Sequence, residues 1–169
     1  MEIVRQLGIF VSVTGVLGLC SHWIGEALPR RWFHPDRFPY ALCKWEQNGR
    51  FYRQKLKIER WKNKLPDKSQ KVASMVKKSV GNDHSSAYLL RLTAETCVSE
   101  AVHWVLLLCS PVYLACMEQP LSIVAAVGYA LSHLPFIVIQ RYNRPRLLRA
   151  AAHAKREEAY NETAGSVEQ

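Results

Sequence analysis

Three groups of residues have the types and spacing to do chemistry. The first is Glu95-Thr96-x3-Glu100-x2-His103-Trp104. On a helix, Glu100 and His103 lie three apart and share a face, and Thr96, four before Glu100, joins it. Glu95 falls off that face, one turn from Ser99. A carboxylate beside an imidazole orients the ring and raises its basicity, which suits a general base. The plainer alternative is a helix start with an interfacial histidine. The second group is Gln140-Arg141-Tyr142-Asn143-Arg144-Pro145-Arg146. Arginine forks match phosphate or carboxylate oxygens, and side-chain amides suit sugar hydroxyls or an oxyanion. Its plainer alternative is a basic flank that stops a membrane span. The third is His133, two residues before Pro135, where a kink could line a cavity; its plainer alternative is a packed histidine satisfied by a freed carbonyl. A proline inside a helix frees a carbonyl one turn earlier, that of Leu131 here and that of Leu107 for Pro111.

Long uncharged blocks must carry these groups. Twenty residues without a formal charge run from Gln6 to Gly25, seventeen from Ala101 to Met117, and twenty-two from Gln119 to Gln140. About 20 helical residues cross a hydrocarbon core of roughly 30 Å. The expected fold is therefore all-α: a single integral membrane domain over 1–169, with about three transmembrane helices at about 6–26, 97–117 and 119–140. The first block reads as an uncleaved anchor, since no clear small-x-small cleavage site precedes Arg30.

Of the 23 basic residues, sixteen fall in 29–91, six in 141–169, one (Arg5) at the N-terminal tip, and none in the turn between the last two blocks. The positive-inside rule then sets a multi-pass orientation in the cell membrane. The N-terminus is outside, and loop 29–91 and tail 141–169 are cytoplasmic. Spans and attraction to the lipid bilayer account for the net charge of +9. No nucleic-acid module is visible, so no nucleic-acid partner is expected.

Within the loop, Phe51, Gln54, Ile58, Trp61 and Leu65 fall on one helical face, with Arg53, Lys55, Lys57, Arg60, Lys62 and Lys64 opposite. That pattern predicts a basic amphipathic helix lying in the membrane interface, ended by Pro66. Residues 66–84 are polar and read as a loop, with helix resuming at about Ser85. The five cysteines form no C-x-x-C and read as small apolar packers. The sequence contains no H-E-x-x-H, no H-x4-D and no phosphate-binding Gly-rich loop, and no metal or bound cofactor is expected. His84-Ser85-Ser86 and His34-Pro35-Asp36 read as local structure, since adjacency in sequence does not make a catalytic pair.

Three blocks carry a resemblance. One is Trp45-Glu46-x-x-Gly49-Arg50-Phe51 followed by Arg60-Trp61-Lys62-x-Lys64-Leu65-x-Asp67. Another is the Glu95–Trp104 group. The third is Tyr129-Ala130 with Pro135-x-Ile137-x-Ile139-Gln140-Arg141-Tyr142-Asn143-Arg144-Pro145-Arg146-Leu147. In these the chain resembles the glycosyl-4,4'-diaponeurosporenoate acyltransferase family of staphyloxanthin-type carotenoid biosynthesis. The resemblance implies a membrane-bound O-acyltransferase that esterifies a sugar hydroxyl of a glycosylated C30 carotenoid acid, the last step of pigment synthesis. A related glycolipid is the alternative acceptor. A non-catalytic membrane scaffold for pigment enzymes is the alternative of another class, and association with those enzymes or with further copies of the chain is the implied partner set.

Acyl transfer needs a base for the attacking hydroxyl and donors for the oxyanion. The expected roles are His103 as base, Glu100 orienting it or holding the sugar, and Glu95 as a second acidic contact to the head group. Arg141 and Arg144 would bind the phosphate of the co-substrate, an acyl-CoA or acyl carrier protein. Gln140 and Asn143 would donate to the carbonyl or sugar, with Trp61 as a further substrate contact. A short outer turn makes the last two spans antiparallel neighbours, so the two polar groups are expected to meet at one depth.

Overall fold

A computed structural model describes residues 1–65 and 85–167; the expected loop at 66–84 lies outside them. The described residues contain helices and turns and no strand. Three helices are long and apolar enough to cross a membrane. The first, α1 (Glu2–Ala27), has 26 residues and is about 39 Å long. Its one buried residue is Gln6, whereas Leu7, Val11, Val16, Leu19 and Ile24 are exposed. A helix that is apolar without being covered by protein requires lipid around it.

The 29–65 segment holds the main departure from the sequence reading. The expected continuous amphipathic helix is broken into α2 (Arg50–Gln54) and two 3-10 turns, Ile58–Arg60 and Lys62–Lys64. Lys57 turns left-handed at φ 47°, and Trp61 Nε1 donates to Leu56 O at 2.9 Å. Of the expected apolar face only Ile58 is fully buried, and it is carried there by a turn; Phe51, Trp61 and Leu65 are half-buried. Tertiary packing overrides helical periodicity here.

After the undescribed stretch, α3 (Ser86–Cys109) runs to the Ser110-Pro111 break, and α4 (Val112–Cys116) follows. The Leu107 carbonyl that Pro111 was expected to free accepts Ser110 N–H at 3.2 Å instead. The last helix, α5 (Leu121–Val167), is 47 residues long, about 70 Å, and passes through Pro135 and Pro145 unbroken. It includes nearly all of the tail expected beyond 140. The cysteines are free thiols, and Cys97 alone is buried.

The chain divides into two compact units, each discontinuous in sequence: 1–29 with 98–138, and 30–97 with 139–169. The first has its core at Leu106, Tyr113, Ala126 and Tyr129, packed by Phe10, Val13 and Leu17 of α1. Thr14 Oγ1 lies 2.6 Å from the Tyr113 hydroxyl. The second packs Leu89 and Leu92 of α3 against Ala151 and Ala154 of α5. In it, Glu158 accepts from Ser86 N–H and Oγ–H at 2.7 Å each, capping the start of α3.

Also in the second unit, three successive residues are left-handed: Gln47 (φ 49°), Asn48 (φ 56°) and Gly49 (φ 87°). Gly49 lies against α5, where an added Cβ would sit 3.5 Å from Pro145 Cγ and 3.6 Å from Tyr142 O. Those are ordinary contacts, so the demand for glycine comes from the backbone. Gly49→Ala is expected to cost about 1–2 kcal/mol, read as a lower unfolding temperature of the detergent-solubilised protein. An unchanged melt would show that the turn tolerates a side chain.

Candidate functional site

The second unit is organised on one acidic side chain in a basic segment. Glu46 is fully buried. Its carboxylate accepts from the Cys43 N–H, which closes the 3-10 turn that bears it, and from the Tyr52 hydroxyl. Arg141, on α5, grips the same carboxylate with Nε at 2.7 Å and Nη2 at 2.8 Å. The fork also donates to the Pro39 and Ala41 carbonyls, each at 3.3 Å. Burial alone would raise the Glu46 pKa. The Arg141, Tyr52 and Cys43 donors outweigh it, and the carboxyl is held below its ordinary value. The Tyr52 hydroxyl is pushed up, by burial first and by the Glu46 charge second.

One turn along α5, Arg144 is also fully buried. Its guanidinium donates to Tyr40 O at 2.6 Å, to Thr96 Oγ1 at 3.1 Å and to Thr96 O at 3.3 Å, with the Tyr40 ring 5.6 Å away. Glu95 takes a bidentate contact from Arg30, at 2.8 and 3.0 Å. Tyr142 donates to Glu59 at 2.7 Å and accepts from Arg146 at 3.1 Å. The Tyr142 hydroxyl holds the exposed Glu59 carboxyl below its ordinary value. Gln140 is buried and Asn143 half-buried.

In the first unit, Glu100 is buried and lies 3.4 Å from Trp104 Nε1. Three residues on, His103 Nδ1 is 3.1 Å from His133 Nδ1, a hydrogen bond between two imidazoles. The His103 ring stacks on Phe136, with centroids 4.7 Å apart and planes 7° from parallel. The edge of Tyr129 meets His133 at 4.6 Å. His133 is 8% exposed, and its Nε2 is buried with no hydrogen-bond partner. Most buried polar side-chain atoms have a partner. This one is held in place by aromatic packing and a single bond from its other nitrogen.

The pattern of the glycosyl-4,4'-diaponeurosporenoate acyltransferase family matches residues 29–153. The chain belongs to this family. A relative bearing that name from Staphylococcus aureus (strain bovine RF122 / ET3-1) is 26% identical over 134 residues, covering 79% of this chain and 80% of its own length. The counterpart from Staphylococcus aureus (strain N315) is 25% identical over the same coverage. No solved structure matches the chain.

In this acyltransferase family member, the expected site residues fall into two groups. Glu100, His103 and His133 belong to the first unit, and Trp61, Glu95, Gln140, Arg141, Asn143 and Arg144 to the second. His103 and His133, thirty residues apart in sequence, are brought together. Arg141, Arg144 and Glu95 meet protein partners in this structure. No cluster of three or more His, Cys, Asp or Glu side chains able to hold a metal occurs among the described residues. Sequence reasoning singled out neither Glu46 nor Tyr52. Glu46 could have been flagged as one of the few acids in a segment crowded with bases, and it stands inside the Trp45–Phe51 block that carried the resemblance.

Removing one partner of a buried pair strands the other charge, at about 3–5 kcal/mol. Glu46→Gln should therefore lower unfolding stability by that order. There is also a pH signature. Unfolded Glu46 takes up its proton near the ordinary value of 4.5, whereas the folded protein does so only at lower pH. The stabilisation is complete above that value and is lost as pH falls through the folded pKa. Melting curves across acidic pH should show this loss in the wild type and a flatter dependence in Glu46→Gln. Equal stabilities would mean the pair contributes nothing net.

Proposed function

We propose that this chain esterifies a sugar hydroxyl of a glycosylated C30 carotenoid acid with a fatty acyl group, the closing step of staphyloxanthin-type pigment synthesis. Family membership and the names of the relatives support the acyl-transfer class and the glycosylated carotenoid acceptor. The observation that carries an enzymatic reading over a scaffold is the buried, unpartnered Nε2 of His133, bonded through its other nitrogen to His103.

The reaction uses the pair as its base. With the proton of His133 Nδ1 donated to His103 Nδ1, His133 Nε2 keeps a lone pair, which takes the proton of the acceptor hydroxyl when substrate entry uncovers this buried nitrogen. The hydroxyl oxygen attacks the acyl carbonyl carbon, the new C–O bond forms, and the hydroxyl proton passes to the imidazole. Collapse of the tetrahedral intermediate breaks the C–S bond of a thioester donor, and the proton leaves with the thiolate. Glu100, in the same unit as the two histidines, is assigned as an acidic contact to the sugar. Arg141 and Arg144 are assigned as positioning residues that hold 39–46 on α5, and Glu95 does the same for Arg30. The concentration of bases in 29–91 supports an outside N-terminus with the loop and C-terminus in the cytoplasm.

Loss of a general base costs about 10²–10⁴ in rate. His133→Gln and His103→Ala should each reduce ester formation by that order at matched protein level. The measurement is mass spectrometry of lipid extracts from cells that make the glycosylated carotenoid acid, looking for a mass gain of one fatty acyl group. A gain that depends on the protein but survives both substitutions would keep the transferase and reject the base. Absence of any gain with the protein in the membrane would reject the acceptor.

A further inference from the structure

The second unit contains an open surface pocket of about 350 Å³, with Asp36, Asn48 and Arg149 exposed along it, that none of the assigned catalytic roles uses. Its size lies within the range of about 300–1,000 Å³ typical of small-ligand sites. Leu42 and Leu148 give it apolar walls, and Asp36, Asn48, Arg144 and Arg149 give it polar ones. These groups differ in what they have left to offer. The Arg144 guanidinium faces the Tyr40 and Thr96 oxygens. Among the described residues, Arg149 makes no ion pair and Asp36 has no hydrogen-bond partner, although both border the same space.

The backbone supplies an independent observation. Asn48 enters the cavity wall from the centre of the left-handed run Gln47–Gly49. Left-handed geometry at a residue other than glycine costs roughly 1–3 kcal/mol and concentrates at ligand sites. Here the strained turn is pressed onto α5 at Tyr142 and Pro145, which puts the Asn48 amide beside Arg149 and Leu148 in one lining.

We propose that this cavity binds the phosphopantetheine arm of the acyl donor. The inference rests on the transferase reading and adds the donor's site to it. The arm alternates methylene and amide groups and carries a phosphate at one end. Leu42 and Leu148 match the methylenes, Asn48 and Asp36 match the amides and hydroxyl, and Arg149 matches the phosphate through charge-assisted hydrogen bonds. A coenzyme A thioester and a carrier-protein thioester share this arm, so the cavity recognises the chemistry common to both.

The test uses the full-length protein in detergent, with 4'-phosphopantetheine, coenzyme A, a holo acyl carrier protein and inorganic phosphate as probes. Binding of coenzyme A or of the carrier protein that 4'-phosphopantetheine displaces supports the site, and the tighter of the two names the donor. Arg149→Gln is a surface substitution, and it should weaken that binding about tenfold and raise the donor KM by a similar factor while sparing kcat and the acceptor KM. Leu148→Trp, which fills the cavity, should abolish displacement. Displacement by inorganic phosphate or by vesicles of anionic lipid as readily as by 4'-phosphopantetheine would overturn the assignment in favour of a general phosphate or lipid-headgroup contact. Transfer with a donor KM unmoved by both substitutions would overturn the cavity and leave the transferase standing. Arm binding that both substitutions weaken, in a protein that transfers to no glycolipid, would keep the cavity and overturn the reaction.

Discussion

The second unit depends on a carboxylate that has been taken out of water. Most ionisable side chains in 29–65 are cationic, and a segment of that composition has little reason to fold on itself. Glu46 supplies the reason. It draws in the Arg141 fork, the Tyr52 hydroxyl and the Cys43 N–H together, and with every oxygen engaged it can remain ionised while buried. Arg141 then reaches past it to the Pro39 and Ala41 carbonyls, which pins the irregular chain to a regular helix. Arg144 repeats the device one turn later with Tyr40 and Thr96, linking that same stretch to α3. The arginines thereby satisfy backbone carbonyls that secondary structure leaves without partners.

The first unit solves a different problem. Its surroundings are apolar, so polar groups there must bond one another. Thr14 meets the Tyr113 hydroxyl, Trp104 meets Glu100, and His103 meets His133. Each of these contacts ties two groups whose isolated burial in an apolar medium would be costly. The imidazole pair leaves His133 Nε2 over, as Ser122 leaves its hydroxyl, and Phe136 and Tyr129 flank the two rings.

Much of this was legible from residues alone. Uncharged blocks placed all three long helices, because length and apolarity are sufficient for a spanning helix. Motif residues marked both histidines and the Gln140–Arg144 group. Four things were not legible. The amphipathic face at 51–65 had the wrong element and only part of the burial: Ile58 is buried, but through turns that periodicity cannot distinguish from a helix, while Gln54 of that face is exposed and Tyr52, outside it, is buried. The partners of Arg141 and Glu95 were invisible because Glu46 and Arg30 lie 95 and 65 residues away. His133 was weighed apart from His103, since no sequence spacing encodes a meeting between two helices. The continuity of α5 through Pro135 and Pro145 was also missed, because a proline predicts a lost bond and not how the remaining helix responds.

The leftover nitrogen on His133 bears on how this chain can evolve. A buried polar atom without a partner costs the resting protein about 1–3 kcal/mol. A ring of similar shape without that nitrogen, such as phenylalanine, would relieve the cost and could keep the packing against Tyr129. Selection for thermal robustness alone would therefore drift toward replacing His133. A lineage that keeps the histidine accepts lower stability, which the proposed role of its lone pair in acyl transfer would offset. Its margin for other destabilising changes in the same unit is narrower for as long as the residue is retained.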